Sequence, residues 1–163
     1  MPGLSVAYRV PGAALPARER WLSALEAARG DAPSRRVTHF EDDHCRIGSD
    51  AHERHPIEVR QDDRTLVVLE GRIYGSATVT PIDDLLALAG MLGREGNDDP
   101  AAIRSCIRDW DGEFVAVVYT KADHRLWVFS DPLGRLPLYV ARGDRGLSVS
   151  RDQRFLLAHE GIA

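Results

Sequence analysis

Residues 111–157 read DGEFVAVVYTKADHRLWVFSDPLGRLPLYVARGDRGLSVSRDQRFLL, and their rhythm decides the fold. Apolar runs of strand length, EFVAVVYT, RLWVFS, LPLYVA and LSVS, alternate with turn-forming text at KADH, DPLG and RGDRG. Such punctuation predicts a meander of four antiparallel strands. The closing RDQRFLLAH predicts a last helical turn.

Upstream, the period lengthens to that of helices. In TPIDDLLALAGMLGREG, Thr80 reads as an N-cap, Pro81 as the first helical residue, and Asp83 and Asp84 as first-turn acids before a Leu-rich face. DPAAIRSCIRDWDG repeats the device, with Asp99 as cap and Ile103, Cys106, Ile107 and Trp110 at helical spacing. A third amphipathic helix is expected in PARERWLSALEAARG, with Trp21, Leu22, Leu25 and Ala28 on its buried face and Gly30 as its stop.

The first residues, MPGLSVAYRV, alternate as a strand, Leu4, Val6, Tyr8 and Val10 against Ser5, Ala7 and Arg9. TLVVL at 65–69 is the continuous apolar run of a strand covered on both faces. From Val37 to Val59 the text is polar, and short edge strands or loop are expected. Strands, then helices, then strands, without strict βα alternation, indicate an α+β layered fold.

A length of 163 residues with 44% hydrophobic and 28% charged residues suits one domain, residues 1–163. A net charge of −4 argues against nucleic acid as a partner. No apolar run approaches the roughly 20 residues of a membrane span, and no secretory leader precedes the first strand, so the expected compartment is the cytoplasm. Cys45 and Cys106 are the only cysteines and form no C-x-x-C pair, which argues against structural zinc; Cys106 reads as a buried free thiol. His39, His44, His52 and His55 lie among Asp42, Asp43 and Asp50, but spacings of five, eight and three match no tight ligand motif. No metal and no cofactor are expected.

The order of phrases resembles the glutaminase domain of class II glutamine amidotransferases, most closely the asparagine synthetase branch. The residues that carry the resemblance are Gly112, Phe114, Asp131, Gly134, Pro137, Leu138 and Tyr139 in the last third. LVVLEGRIYG resembles the family's Asn-Gly-Glu strand, and HCRIGSD before His55-Pro56 resembles its arginine-bearing strand. The resemblance implies the N-terminal nucleophile hydrolase fold, a four-layer αββα sandwich of two antiparallel sheets. In that family the first strand starts at a cysteine whose thiol attacks the glutamine amide while its own α-amine acts as base.

Here Pro2 stands at the nucleophile position and has no nucleophilic side chain. Ser5 has no free α-amine unless the chain is cleaved after Leu4. Glu70 replaces the family's oxyanion-hole Asn, and Arg72 replaces an acid that helps hold the glutamine ammonium. Arg46 matches the arginine that grips the substrate carboxylate, Gly71 is kept beside it in the pocket, and Asp83 matches an aspartate near the start of the following helix. Each has a plainer reading: Arg46 as an ion-pair residue, Asp83 as a helix-start acid, and Glu70 and Arg72, on one strand face, as structural ion-pair residues with each other or with neighbours.

The expectation is therefore a catalytically inactive glutaminase-like domain, not an enzyme as an isolated chain. It would serve as a structural, interaction or regulatory module for an ATP-dependent amide-forming synthetase, a pattern similar to that of the β-lactam synthetases. The family's Ser-Gly-Gly-x-Asp-Ser phosphate loop is absent, so the synthetase would be a separate domain or subunit. A homodimer stays open as a further partnership. Two alternatives remain: an amidohydrolase with Cys45 as relocated nucleophile, its pKa depressed by His44 and Arg46, and an amino-acid sensor using the vestigial pocket.

Overall fold

The computed structural model describes residues 3–10, 12–28, 34–52, 54–74, 80–92 and 100–161. In chain order the elements are β1 (Gly3–Arg9), α1 (Arg18–Ala27), β2 (Arg35–Glu41), β3 (Cys45–Ala51), β4 (Ile57–Gln61), β5 (Thr65–Ile73), α2 (Pro81–Leu92), α3 (Pro100–Ile107), β6 (Gly112–Thr120), β7 (Arg125–Ser130), β8 (Tyr139–Gly143), β9 (Gly146–Ser150) and α4 (Gln153–Glu160). They build two antiparallel sheets, one of five strands in the order β2-β3-β1-β9-β8 and one of four in the order β4-β5-β6-β7. Residues 1–55 with 137–163 form one compact unit and residues 56–136 the other. Each unit is one sheet with two helices, the α+β content that an αββα fold requires.

In the first unit β1 is the middle strand, paired to β3 through Val6↔Ile47 and to β9 through Val6↔Val149. Its two edges are thus both paired, and both its faces are buried, Ser5, Ala7 and Arg9 as well as Leu4 and Val6. Ala7 packs with Trp21, Ala24, Leu25 and Ala28 on α1 and with Phe155 and Leu156 on α4. Trp21, Ala24, Leu25 and Ala28 stand at i, i+3, i+4 and i+7, so the buried stripe is theirs. Leu22 is 41% exposed, which corrects its placement on that face. Asp152 caps α4, its carboxylate accepting from the Arg154 backbone N–H at 2.9 Å, and Gly161 ends it in the left-handed conformation at φ 71°.

The polar stretch 37–59 was expected to give edge strands or loop, yet β3 lies between β2 and β1 and is buried along its whole length. Its polar residues are covered by the sheet's neighbours rather than by an apolar composition of its own. A bulge between Thr38 and Phe40 in β2 sets His39 out of the regular pairing.

In the second unit β5 meets the expectation of a doubly covered strand, buried from Thr65 to Glu70. Val67 and Leu69 face α2 and α3 and join Phe114, Ala116 and Val118 of β6 with Ile82, Leu85, Leu88 and Leu92 of α2 in one cluster. Thr80 begins α2 as expected: its carbonyl accepts from the Asp83 N–H at 3.0 Å, and its hydroxyl donates to the Asp83 carboxylate. Asp99 and the Cys106 side chain lie outside the described residues.

The last four strands are not one meander. β6 and β7 form a hairpin in the four-stranded sheet, and β8 and β9 form a hairpin in the five-stranded one. The text between them, SDPLGRLP, holds the change of sheet. Asp131 is 3% exposed and its carboxylate accepts from the N–H groups of Leu133 and Arg135, while Gly134 turns the chain at φ 61°. A four-residue turn and a sheet-switching connection begin with the same residue types.

Candidate functional site

Arg46 lies on β3 opposite Ala7, which places it on the α1 and α4 face of its sheet. It is 5% exposed. One guanidinium nitrogen donates to Glu41 Oε1 at 2.6 Å and another to the Pro16 carbonyl at 3.1 Å, with Cζ 5.7 Å from the centre of the Trp21 ring. The three contacts tie the segment before α1 to the sheet, as the plain ion-pair reading of Arg46 expects. Gly48, next on that face, leaves the room Trp21 occupies: a Cβ there would stand 3.1 Å from the indole.

Glu70, Gly71 and Arg72 follow one another on β5. Glu70 is fully buried on the sheet face opposite to that of Leu69, whereas Arg72 is exposed. No ion pair joins the two among the described residues, so of the two expected arrangements the pairing with each other is not the one seen: sharing a strand face does not give them a shared environment. Gly71 adopts φ +98°, and a Cβ would come within 1.9 Å of the Glu113 carbonyl oxygen. Its N–H donates to the Pro56 carbonyl at 2.9 Å, extending the β4–β5 ladder one step. An amide already used in this way has no proton to offer a developing oxyanion.

Asp83 is exposed on the first turn of α2, its carboxylate held by the Thr80 hydroxyl. There it also meets the positive end of the helix dipole. Pro2 lies outside the described residues. Ser5 is 2% exposed and its hydroxyl shares a hydrogen bond of 2.9 Å with that of Ser150.

Cys45 is completely buried. Burial pushes its thiol well above the ordinary value, and the Asp42 carboxylate adds to the shift. The expected depression by His44 and Arg46 is thus reversed. Asp42 approaches because its carboxylate accepts from the backbone N–H groups of His44 and Cys45, at 2.8 and 2.6 Å, to close the β2–β3 turn.

The histidine and aspartate text disperses. His39 Nε2 meets Ser49 Oγ at 2.9 Å, and burial lowers the pKa of its ring. Ser49 itself is 3% exposed. No three His, Cys, Asp or Glu side chains are placed to share a metal ion among the described residues. The sequence reading missed the His39–Ser49 contact because a bulge, which has no signature in local composition, aims His39. It also missed a buried polar chain in which Arg9 binds Glu160 at 3.3 Å and His159 Nδ1 meets Ser148 and Glu160 at 3.2 and 3.1 Å. Its only sequence signal was Arg9 on an otherwise apolar strand.

Two antiparallel sheets with paired helices and an Asp-Pro-Leu-Gly turn entering a Pro-Leu-Tyr strand are the marks of an amidotransferase-type fold. The family profile of the glutamine amidotransferase domain matches residues 43–158, well over half of the chain, and the protein belongs to that family. The match begins beyond β1, so the nucleophile position is not among the matched residues. No curated protein matches the chain. No helix among the described residues is long and apolar enough to cross a membrane.

Proposed function

We propose that the protein is a catalytically inactive glutaminase-like domain of the asparagine-synthetase-like branch. It acts in the cytoplasm as a structural, interaction or regulatory module for an ATP-dependent amide-forming synthetase. The observation that carries this reading is the use of Gly71: the amide next to the family's oxyanion position is consumed by Pro56 within the sheet ladder. Two further features support it. Arg46, the counterpart of the carboxylate-binding arginine, is held by Glu41 and Pro16, and Asp83 is held by Thr80. The side chain preceding that amide is Glu70, which cannot donate to an oxyanion when ionised.

Cys45 offers little to the alternative of a relocated nucleophile, since a thiol that is buried and raised in pKa is a poor attacking group. The deciding experiment is ammonia release from glutamine by the purified protein, with the N-terminal mass measured on the same sample. No release above background is expected; turnover that rises with protein concentration would overturn the reading.

A further inference from the structure

The surface formed by α3 and the Asp131–Arg135 turn carries a groove and a knob side by side. The groove, about 540 Å3, is lined by Ala101, Ile107, Pro132 and the stems of Arg104 and Arg108. Arg104 and Arg108 stand one helical turn apart, both exposed, and neither has an ion-pair partner among the described residues. Next to the groove, and sharing Arg108 and Pro132 with it, is a smaller hollow of about 240 Å3 that also involves Asp109, Asp111 and Leu133. Leu133 is 73% exposed, the most exposed of the large hydrophobic side chains among the described residues. Asp109 is exposed and has no ion pair among the described residues, while Asp111 keeps most of its side chain in solvent, 70%, although Arg135 touches it at 3.0 Å.

The apolar hollow is thus rimmed by unpaired arginines and the apolar projection by acids. One surface that holds a hole of one sign and a knob of the other complements a second copy of itself turned about a two-fold axis. We propose that this surface joins two copies of the chain, with Leu133 of each seated in the α3 groove of the other. Arg104 and Arg108 then face the partner's acids at Asp109 and Asp111. The burial of two leucines supplies the apolar centre, and four arginine contacts at the rim set the register. The inference stands apart from the pocket argument, because none of these residues belongs to it.

Sedimentation equilibrium over a range of protein concentrations tests this. The wild-type chain is expected to form a dimer, and Leu133→Asp to weaken it by about tenfold or more. Circular dichroism checks that this surface variant folds. Arg104→Glu/Arg108→Glu makes both hole and knob acidic, and Asp109→Arg/Asp111→Arg makes both basic; each double variant alone is expected to dissociate. An equimolar mixture of the two is expected to regain the dimer, since each then meets an opposite charge twice. A wild-type chain that stays monomeric at every concentration overturns the proposal, as does a dimer indifferent to Leu133→Asp or a mixture that stays dissociated.

Discussion

The N–H of Gly71 and the carbonyl of Pro56 are joined at 2.9 Å, so the amide beside Glu70 is a rung of the sheet. A catalytic oxyanion needs preorganised donors that are free when charge develops, and losing one such donor alone costs about 100- to 1,000-fold in rate. Pro2→Cys is therefore expected to release no measurable ammonia from glutamine in a coupled assay. Substantial turnover by that single variant would refute the account of Glu70 and Gly71.

Arg46 binds within the fold, so its replacement should be read out in stability. Arg46→Ala removes contacts to Glu41, Pro16 and Trp21 at once. Because Glu41 keeps some solvent, a loss of about 2 kcal/mol is expected in urea unfolding. Arg46→Lys should recover little, since an ammonium cannot reproduce the planar fork. A variant as stable as the wild type would show the contacts to be incidental.

Two glycines should behave oppositely. Gly71→Ala sets a methyl group against the Glu113 carbonyl at φ +98° and is expected to cost about 3 kcal/mol or more. Gly90 lies inside α2 with open space where its Cβ would be, and Gly90→Ala is expected to stabilise by about 0.5 to 1 kcal/mol. Thermal melts of the two variants side by side check both signs.

His159 is 1% exposed, stacked on Phe155 and edge-on to Trp21. Burial lowers its pKa, and the hydrogen bond it donates to Glu160's carboxylate only partly opposes this. The unfolded chain therefore takes up a proton before the folded one does. Stability from this residue is complete above its ordinary value of about 6.5 and falls as pH drops below it. Urea midpoints measured from pH 7.5 down to 5.5 should decline in the wild type. His159→Gln should show a shallower decline, the remainder coming from His39, whose pKa burial also lowers.

The Cys45 thiol should resist iodoacetamide at neutral pH in the folded protein and react once urea unfolds it. Rapid alkylation of the native protein at Cys45, located by peptide mass mapping, would reopen the amidohydrolase reading.

Much of the fold was legible where local chemistry decides it. Thr80-Pro81 announced a helix start, RDQRFLLAH a closing helix, and TLVVL a strand covered on both sides. What local text does not carry is the identity of a strand's neighbour: Tyr139–Ala141 alternates no differently from Trp127–Phe129, yet the two pair in different sheets. Composition misled at Arg46-Ile47-Gly48-Ser49-Asp50, where a polar strand is buried because of what flanks it. At the candidate site the resemblance named positions, and local text did not carry the contacts that occupy them. Glu41 and Pro16 reach Arg46, and Pro56 reaches Gly71, through pairings set by the whole sheet.

The split of the last strands between two sheets gives the chain an order of assembly. Residues 56–136 are continuous and pair only with their sequence neighbours, β4 to β5 to β6 to β7, so a nascent chain can complete that half while synthesis goes on. The half that begins first finishes last. β1 must wait for β9, made some 140 residues later, before its second edge is covered, as Ser5↔Ser150 records. A ribosome that stalls before Gly146 therefore releases a chain with one sheet closed and the central strand of the other bare along one side, an open template for aggregation.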